Sequence, residues 1–340
     1  MPQNTPKTTG LTLGKFAPFH KGHQHLVETA LAEVDHLYVM VYQTDLTPIP
    51  LQIRAGWIKT LYPQVTIIEA WDGPEGYGDT PEIKKVQEDY ILKKLEDQKI
   101  TRFYSSEFYG DHVSQALGAI DRRVDEPRSS VPISGTRVRA QTYQQRHYID
   151  DVVYHDLVIK VCLLGAPSTG KSTLAKTLAT RFETTYMPEY GAEFWLKNQV
   201  GRRITLEQFE EIAPEHLRRE DERIRQADTY FFSDTCPITT YVFAKDYHGQ
   251  AGPALTRLAQ AAEKRYDLFF LCDIDIPYAD TWDRSGDQKR HWFQQQIIGD
   301  LAERRLPYFT LRGTLEERVA RVSKVLAGYE KYGNVLEIDF

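Results

Sequence analysis

Short apolar runs alternate along the chain with longer segments in which apolar residues recur every three to four positions. In the first half, the apolar runs predict strands at about 10–14, 36–42, 65–69, 101–105 and 121–125. The periodic segments predict helices at about 23–34, 51–61, 81–97, 111–119 and 135–147. Strands that alternate with helices in this way favour a parallel sheet with helices on both faces.

The second half repeats the pattern. Strands are predicted at about 157–164, 183–187, 229–234, 267–272 and 307–311. Helices are predicted at about 171–182, 205–227, 253–264, 287–304 and 314–330. We therefore predict two α/β parallel-sheet domains, residues 1–150 and residues 151–340, which suits a chain of 340 residues.

Composition excludes several classes of protein. Hydrophobic residues make up 41% and charged residues 26%, as in an ordinary globular protein. Three widely spaced cysteines (Cys162, Cys236 and Cys272) predict neither a disulfide framework nor a structural zinc site. No apolar run approaches the length of a membrane span and no secretory signal opens the chain, so we expect a cytoplasmic protein without membrane insertion.

The net charge is −6, and both halves of the chain carry more acidic than basic residues. No block of Lys and Arg forms a basic arm. Binding to nucleic acid is therefore not expected.

The first segment with candidate chemistry is L-T-L-G-K-F-A-P-F-H-K-G-H-Q-H-L, which begins as a strand and ends as a helix. His20 and His23 flank Gly22 at the predicted helix start. The helix dipole and free N–H groups there favour an anion, and imidazoles can stabilise charge on departing pyrophosphate. A histidine-rich surface turn is the alternative.

A second segment, Ile133 to Arg139, opens another predicted helix. Ser134 can cap that helix, whose first N–H groups can accept a triphosphate. Arg139, one turn further on, offers a bidentate fork to phosphate oxygens.

Together the two segments resemble the G-x-F-x-P-x-H-x-G-H and I-S-x-T-x-x-R motifs of nucleotidyltransferases, and among these the nicotinamide mononucleotide (NMN) adenylyltransferases. The resemblance implies a Rossmann-like domain in which His20, His23 and Arg139 are catalytic. It implies ATP-binding roles for Gly14, Lys15, Phe16, Ser134 and Thr136. Trp57 either stacks on the nicotinamide ring or belongs to the core.

The predicted strand 157–164 runs into G-A-P-S-T-G-K-S-T, a P-loop in its required place between strand and helix. Lys171 is expected to reach the β- and γ-phosphates, and Ser172 to bind Mg²⁺. The nucleotide-binding residues predicted here are Gly165, Ala166, Pro167, Ser168, Thr169, Gly170, Lys171, Ser172 and Thr173.

Glu189 and Asp234 follow the second and third strands of this half. Ligands of open α/β sheets bind at the carboxyl ends of strands, so both carboxylates are predicted to face the phosphates. One would accept a proton from a substrate hydroxyl while the other holds Mg²⁺; which is the base stays open, although Asp234 is the predicted metal ligand beside Ser172. Capping of the following helix is the alternative for either.

The stretch from Asp275 to Arg290 is rich in charge and contains Gly286. We interpret it as a lid in which Arg284 and Arg290 offset charge on the transferring phosphoryl group. A solvated charged loop is the alternative.

The strings E-Y-G-x-E-F, D-T-x-x-x-T-T and D-R-x-G-D-Q-K-R resemble the P-loop ribosylnicotinamide kinase domain of NadR-type proteins. Two departures are Ala192, where Arg is common, and Tyr278, where Trp is common. The resemblance implies substrate-binding roles for Glu189, Tyr190, Tyr278, Asp280, Arg290 and Tyr308. Tyr278 and Tyr308 would sandwich the nicotinamide ring, although Tyr308 can instead be a core strand residue.

The resemblance as a whole implies a bifunctional enzyme of NAD biosynthesis that uses ATP and Mg²⁺. One domain would phosphorylate nicotinamide riboside to NMN, and the other would convert NMN and ATP to NAD and pyrophosphate. About ten residues precede the first strand, so the helix-turn-helix domain of some relatives is not expected. The oligomeric state stays open, a homo-oligomer included.

Two other functions fit parts of this sequence. A coenzyme A-pathway fusion uses the same two folds, although the E-Y-G-x-E-F and D-T-x-x-x-T-T strings argue against it. A NAD-sensing regulator would bind nucleotides without turnover, and the intact phosphate-binding residues argue against that.

Overall fold

The computed structural model describes residues 7–74, 79–107, 109–201, 203–278 and 287–333. The chain forms two compact units, Met1–Tyr154 and His155–Phe340. Each unit is built on one parallel sheet whose five described strands alternate with helices along the chain.

The sheet of the first unit has the order β3-β2-β1-β4-β5. Its strands are β1 (Thr9–Gly14), β2 (His36–Tyr42), β3 (Thr66–Ala70), β4 (Arg102–Ser105) and β5 (Ile120–Arg123). The helices are α1 (Lys21–Glu33), α2 (Leu51–Leu61), α3 (Pro81–Leu95), α4 (Gly110–Leu117), α5 (Gly135–Ala140) and α6 (Asp151–Leu157), with a 3-10 turn at Arg146–Tyr148. Because β1 lies at the centre, the loop between β1 and α1 emerges at the point where the strand order reverses, as ligand loops of such sheets do.

The sheet of the second unit has the order β10-β9-β6-β8-β7. Its strands are β6 (Ile159–Leu164), β7 (Tyr186–Met187), β8 (Tyr230–Asp234), β9 (Leu268–Cys272) and β10 (Phe309–Leu311). The helices are α7 (Lys171–Arg181), α8 (Tyr190–Asn198), α9 (Leu206–Ile224), α10 (Pro237–His248), α11 (Pro253–Arg265), α12 (Asp287–Glu303) and α13 (Leu315–Ala327).

Side chains of alternate residues in the buried strands point to opposite faces of this second sheet and contribute to two hydrophobic cores, one on each face. Val161 and Phe270 pack with helices α7 and α13. Cys162 and Phe269 pack on the opposite face with α10, α11 and α12. The P-loop, between β6 and α7, is thus supported from both faces of the sheet.

Helices α6, α8 and α10 were not predicted, and the helix predicted at 135–147 is shorter. The sequence of α10 is rich in β-branched and aromatic residues, which favour strands. That helix contacts α9, α11 and α12, so it has apolar residues on several faces and lacks a simple helical period. Tertiary packing here overrides local propensity.

Within the described part of the chain, no helix combines the length and the apolar character that crossing a membrane requires.

Candidate active sites

The two histidines of the first unit are fixed by the start of helix α1. His20 is its N-cap, and Nδ1 of His20 accepts a hydrogen bond from the Gly22 amide at 3.1 Å. Nδ1 of His23 accepts one from the His20 amide at 3.3 Å. The two rings stack with centroids 3.7 Å apart. This reciprocal cap holds both imidazoles side by side, with neither free to rotate.

These bonds decide which ring nitrogen carries the proton. Because each Nδ1 accepts a hydrogen bond, each neutral imidazole must carry its hydrogen on Nε2 and can donate from there. Burial, together with the Arg128 charge, lowers the pKa of His20 to about 4. Burial and then the His20 charge lower the pKa of His23. Both rings are therefore neutral donors at neutral pH.

The second motif meets the first at the start of helix α5. A Cβ placed on Gly135 would lie 3.2 Å from Nη1 of Arg139 and 4.0 Å from Nε2 of His20. Arg139 donates to the Ala17 carbonyl at 2.6 Å and to Oγ1 of Thr136 at 3.3 Å. The side chain of Ser134 accepts from the Arg137 amide and caps the helix, as predicted. The Arg139 guanidinium and the Nε2 of His20 thus both lie close to one small residue.

The structure adds a cation that the sequence did not single out. Arg128 lies close enough to lower the pKa of both histidines. It has a left-handed backbone with φ of 53°, in a turn where Asp125 accepts three amide hydrogen bonds. Only folding brings the Arg128 charge close to the two histidines, because nothing in the local sequence distinguishes Arg128 from other exposed arginines.

Some side chains of this motif support the site without facing it. Phe16 is buried, and its ring lies edge-on to His23 with centroids 5.0 Å apart. Lys15 has an exposed side chain, and its carbonyl accepts from buried Arg54. Gly14 ends β1 where a Cβ would lie 3.2 Å from the Phe16 ring. Packing beneath the histidines explains why an aromatic residue follows this strand.

Trp57 requires a correction. Its side chain is only 2% exposed, among the largest fully buried side chains of the protein. A ring with no open face cannot stack on a ligand in this conformation. Of the two alternatives that the sequence left open, the structure favours the core.

In the second unit, the P-loop wraps around the end of β6 through three left-handed residues. Gly165, Ser168 and Gly170 have φ values of 140°, 64° and 82°. A Cβ on Gly165 would lie 2.7 Å from the Cys272 carbonyl oxygen, so only glycine fits there. The loop then passes directly into helix α7, whose N-terminus favours phosphate.

Lys171 stands at the start of α7 and is only 7% exposed. Its Nζ donates to the Ala166 carbonyl at 3.0 Å, and Oγ1 of Thr169 donates to the same oxygen at 2.8 Å. The Lys171 side chain thus bends back over the P-loop toward a residue five positions earlier.

Asp234 ends β8 and is fully buried. Both of its carboxylate oxygens lack a hydrogen-bond partner in the described part of the protein. Burial raises the pKa of Asp234, while the Lys171 charge and the Ser172 side chain oppose that shift. Burial likewise raises the pKa of Glu189, again opposed by Lys171. Two carboxylates therefore face one lysine.

These donors fit a divalent cation. A magnesium ion beside a nucleotide takes one or two protein oxygens and fills its other positions with water and phosphate. The orphaned oxygens of Asp234 and the hydroxyl of Ser172 are such a pair. Among the described residues no group of three or more His, Cys, Asp or Glu side chains could hold a metal without a nucleotide.

A cavity of about 610 Å³ opens beside the P-loop. Pro167–Thr173 and Glu189 line it on the loop side. Its other wall includes the aromatic side chains of Trp195, Phe209, Phe243 and Tyr247, together with Ala192, His216, Thr239 and Lys289. A volume of this size suits a nucleoside-sized ligand. Helices α8, α9 and α10 supply the aromatic wall, and two of them were not predicted.

Behind β8 lies a buried polar network that the sequence did not reveal. Glu220 accepts from Tyr266, from Ser233 and from Arg265, the last at 2.9 Å. His216 contacts Glu220 at 3.3 Å and also lines the cavity. Burial alone would raise the pKa of Glu220, but His216, Arg265 and Ser233 lower it to about 2. The Glu220 carboxylate is thus fully paired, whereas both oxygens of Asp234 lack a hydrogen-bond partner among the described residues.

Tyr308 and Tyr190 lie away from the cavity. Tyr308 precedes β10, so it lies at the amino edge of a parallel sheet whose P-loop is at the carboxyl edge, and it packs on the core. The Tyr190 ring faces helix α9, where the Arg219 guanidinium lies 4.0 Å from its centroid. The structure does not bring Tyr278 and Tyr308 together, and for Tyr308 it favours the alternative of a core residue.

Tyr278 remains near the site. It lines a small recess with Pro167, Tyr247 and Lys289, three residues that also line the large cavity. The Arg290 guanidinium lies 5.8 Å from the centre of its ring and donates to the Ile276 carbonyl. The predicted residues Asp280 and Arg284 lie outside the described residues.

The buried carboxylate gives a first prediction, about stability. Because the pKa of Asp234 is raised by folding, the folded protein binds the proton more tightly than the unfolded chain, and stability falls as pH rises above the ordinary aspartate value. Asp234→Asn should therefore stabilise the ligand-free protein by about 1–3 kcal/mol at about pH 8 and by less at about pH 4. Thermal unfolding at both pH values measures this, with a shift of about 2–4 °C per kcal/mol. An equal or larger gain at the lower pH would contradict it.

Comparison with known proteins finds matches to both units of the chain. The family described as "AAA domain" matches residues 160–318, and the family described as "Citrate lyase ligase C-terminal domain" matches residues 13–76. The trifunctional NAD biosynthesis/regulator protein NadR of Escherichia coli K12 is 29% identical over 325 residues, which cover 89% of this chain and 78% of that protein. The protein of the same name from Salmonella typhimurium LT2 is 28% identical over 323 residues, with the same coverage.

Solved structures agree on the fold. A NadR protein in complex with NAD and AMP-PNP superposes with a TM-score of 0.53 at 19% identity, covering 93% of this chain and 94% of that chain. A NadR protein in complex with NR has a TM-score of 0.53 at 20% identity, covering 94% and 95%. At this identity the match concerns architecture, which is two α/β units in the same order along one chain.

Proposed function

We propose, because this chain is homologous to the NadR proteins, that it is a bifunctional enzyme of NAD biosynthesis. Its second unit, residues 155–340, phosphorylates nicotinamide riboside with ATP to give NMN. Its first unit, residues 1–154, transfers AMP from a second ATP to NMN and yields NAD and pyrophosphate. The observation that carries the proposal is the pair of phosphate sites, one per unit, each followed by a helix start.

The kinase step draws on Lys171 and the two carboxylates. Lys171 neutralises charge that builds on the transferring phosphoryl group. Burial raises the pKa of Glu189, which makes it a stronger base for the 5′-hydroxyl proton than an exposed glutamate. Asp234 and Ser172 would hold Mg²⁺, which supplies charge neutralisation between the β- and γ-phosphates when it is bound with ATP. Both carboxylate oxygens of Asp234 lack a hydrogen-bond partner among the described residues, so we assign Asp234 to the metal. Glu189 is then the remaining carboxylate and is our choice for the base.

The adenylyl step requires no protein nucleophile. It requires the NMN phosphate to be aligned with the α-phosphorus, and it requires donors for the pyrophosphate that leaves. The Nε2 hydrogens of His20 and His23 and the Arg139 fork provide those donors. Because the rings are neutral before ATP binds, they contribute directed hydrogen bonds and become more basic beside the triphosphate.

Use of ATP with a divalent metal follows from the same sites, and Mg²⁺ is our choice because its ligands here are hydroxyl and carboxylate oxygens. The substrates and products are then nicotinamide riboside, NMN, ATP and NAD. The cytoplasmic location stays a prediction.

Product analysis tests the proposal most directly. The protein is incubated with nicotinamide riboside and Mg-ATP, and NMN, NAD, ADP and pyrophosphate are followed by mass spectrometry. We expect NMN and then NAD, with one ADP per NMN and one pyrophosphate per NAD. Phosphopantetheine in place of riboside should give no adenylylated product, and its conversion would instead support a coenzyme A-pathway enzyme. Nucleotide binding without pyrophosphate release would support a NAD-sensing regulator.

The aromatic wall of the cavity yields a prediction about substrate binding. A cationic nicotinamide ring is stabilised by aromatic faces at about 0.5–2 kcal/mol per contact. We expect Trp195→Ala to raise the Michaelis constant for riboside about tenfold, while the constant for ATP changes little. Trp292→Ala is the matched control, because Trp292 is 46% exposed on the surface of α12.

Tyr278 is tested in the same kinetic assay. Its place at the recess predicts a similar rise in the Michaelis constant for Tyr278→Ala, and Tyr278→Phe should retain binding because the π face remains. Unchanged riboside kinetics in both Trp195→Ala and Tyr278→Ala would place the ring elsewhere.

A further inference from the structure

Helix α12 reaches into the P-loop through one fully buried side chain. Oε1 of Gln294 accepts a hydrogen bond from the Ala166 amide at 2.8 Å. Its Nε2 donates to the Cys272 carbonyl at 3.1 Å. Because an amide N–H lies on one side and a carbonyl on the other, the orientation of the Gln294 amide is fixed by its partners.

The residue that Gln294 holds is the one that Lys171 contacts. The Ala166 carbonyl accepts from Nζ of Lys171 at 3.0 Å and from Thr169 at 2.8 Å. The peptide groups of Ala166 therefore link helix α12 to the lysine: the Ala166 amide is hydrogen-bonded to Gln294, and the Ala166 carbonyl is hydrogen-bonded to Lys171. The next residue is Pro167, which has no N–H and restricts the backbone here further.

We propose that Gln294 is a positioning residue that keeps Lys171 aimed at the phosphoryl group. The route runs from the Gln294 amide through Ala166 to the lysine Nζ. The role rests on the proposed kinase function of the second unit. Gln294 touches no substrate in this route and acts only through the loop.

A second hydrogen-bond contact, made by Arg318, fixes the P-loop at Thr169, whereas Gln294 fixes it at Ala166. Arg318 of helix α13 donates to the Thr169 carbonyl at 2.6 Å and to the Asp273 carbonyl at 3.3 Å. The loop is thus held at Thr169 from one face of the sheet and at Ala166 from the other. The Ala166 contact acts on the residue whose carbonyl receives Lys171, whereas the Arg318 contact reaches that oxygen through the Thr169 hydroxyl.

Two substitutions separate positioning from packing. Gln294→Leu keeps much of the volume and removes both hydrogen bonds. Gln294→Glu restores both bonds while the acid is protonated, because its carbonyl faces the Ala166 amide and its hydroxyl faces the Cys272 carbonyl. When ionised, it faces that carbonyl with an acceptor and loses the second bond. Gln295→Ala is the matched control, since Gln295 is exposed on the same helix.

ADP release is the readout, because the adenylyl reaction of the first unit forms pyrophosphate instead. We expect Gln294→Leu to lower kcat for riboside phosphorylation about 10–100-fold while the Michaelis constant for riboside stays within about threefold. The ratio of Gln294→Glu to native activity should fall as pH rises, because the buried acid ionises. Lys171, Asp234 and Arg318 are the charged groups that act on the neighbouring Cys272. Groups that titrate in both the native protein and the Gln294→Glu variant affect both activities equally, so their effect cancels in the ratio of the two activities.

Three results would overturn the proposal. These are a near-native kcat in Gln294→Leu, a pH-independent ratio for Gln294→Glu, and an equal loss of pyrophosphate release from the first unit. If Gln294→Leu does not fold, the Gln294→Glu series decides alone. If riboside fails to stimulate ADP release by the native protein, the proposed kinase substrate is wrong, and the effect of Gln294 is then read from basal ADP release.

Discussion

Lys171→Ala should abolish riboside phosphorylation, by about 10³-fold or more, and should leave adenylylation of supplied NMN within about twofold of the native rate. Among the described residues, Lys171 contributes the largest charge that opposes the raised pKa of both Glu189 and Asp234, and His216 contributes a smaller one. Its removal takes away the charge that faces the transferring phosphoryl group. It also removes the largest opposing charge from Glu189 and Asp234, which raises the pKa of the base further, and a protonated base can no longer accept the hydroxyl proton.

Separate assays of ADP from riboside and of pyrophosphate from NMN measure the two activities. Lys176→Ala is the control, because Lys176 is an exposed lysine further along the same helix. Lys171 and the His20–His23 pair belong to units with different sheets, so we expect the loss to be confined to one activity. If a folded Lys171→Ala protein lost both activities equally, the two-site assignment would be wrong.

His23→Gln should abolish NAD formation while riboside is still converted to NMN, which then accumulates. Nδ1 of His23 caps helix α1, and we propose that its Nε2 hydrogen donates toward phosphate. A glutamine at the third helical position can keep the capping bond to the His20 amide but does not reproduce the second donor. Loss of one such donor costs about 10²–10³ in rate.

Comparison of His23→Gln with His23→Ala separates the two functions. Both should lose adenylyl transfer, but only His23→Ala should also lose about 0.5–2 kcal/mol of stability with the cap. His25→Gln serves as control, because that side chain lies further along the same helix. NMN and NAD are measured together from riboside and Mg-ATP. Continued NAD formation by folded His23→Gln would show that the adenylyl site is elsewhere.

The alternation of apolar runs with helical segments predicted two parallel α/β sheets, and the structure and comparisons confirm that fold. The resemblance to NadR-type proteins is likewise confirmed. The P-loop was accessible to sequence reasoning because it is contiguous, and its shape follows from glycines at positions that demand left-handed backbone. The His20–His23 pair was accessible because three residues of helix bring two side chains to one place.

Tertiary structure decided whatever depended on contacts between distant segments. Gln294 meets Ala166 across 128 residues, and no local pattern marks either residue as a partner. For Trp57 burial favours the core alternative, and for Tyr308 packing on the core at the amino edge of the sheet does the same. The periodicity of apolar residues shows which face of a helix or strand is buried, but it does not show which element covers that face. The sequence by itself therefore determined the two sheets and the loops that follow β1 and β6. Only folding, through packing on both faces of those sheets, decided which side chains line the cavity and what holds the lysine in place.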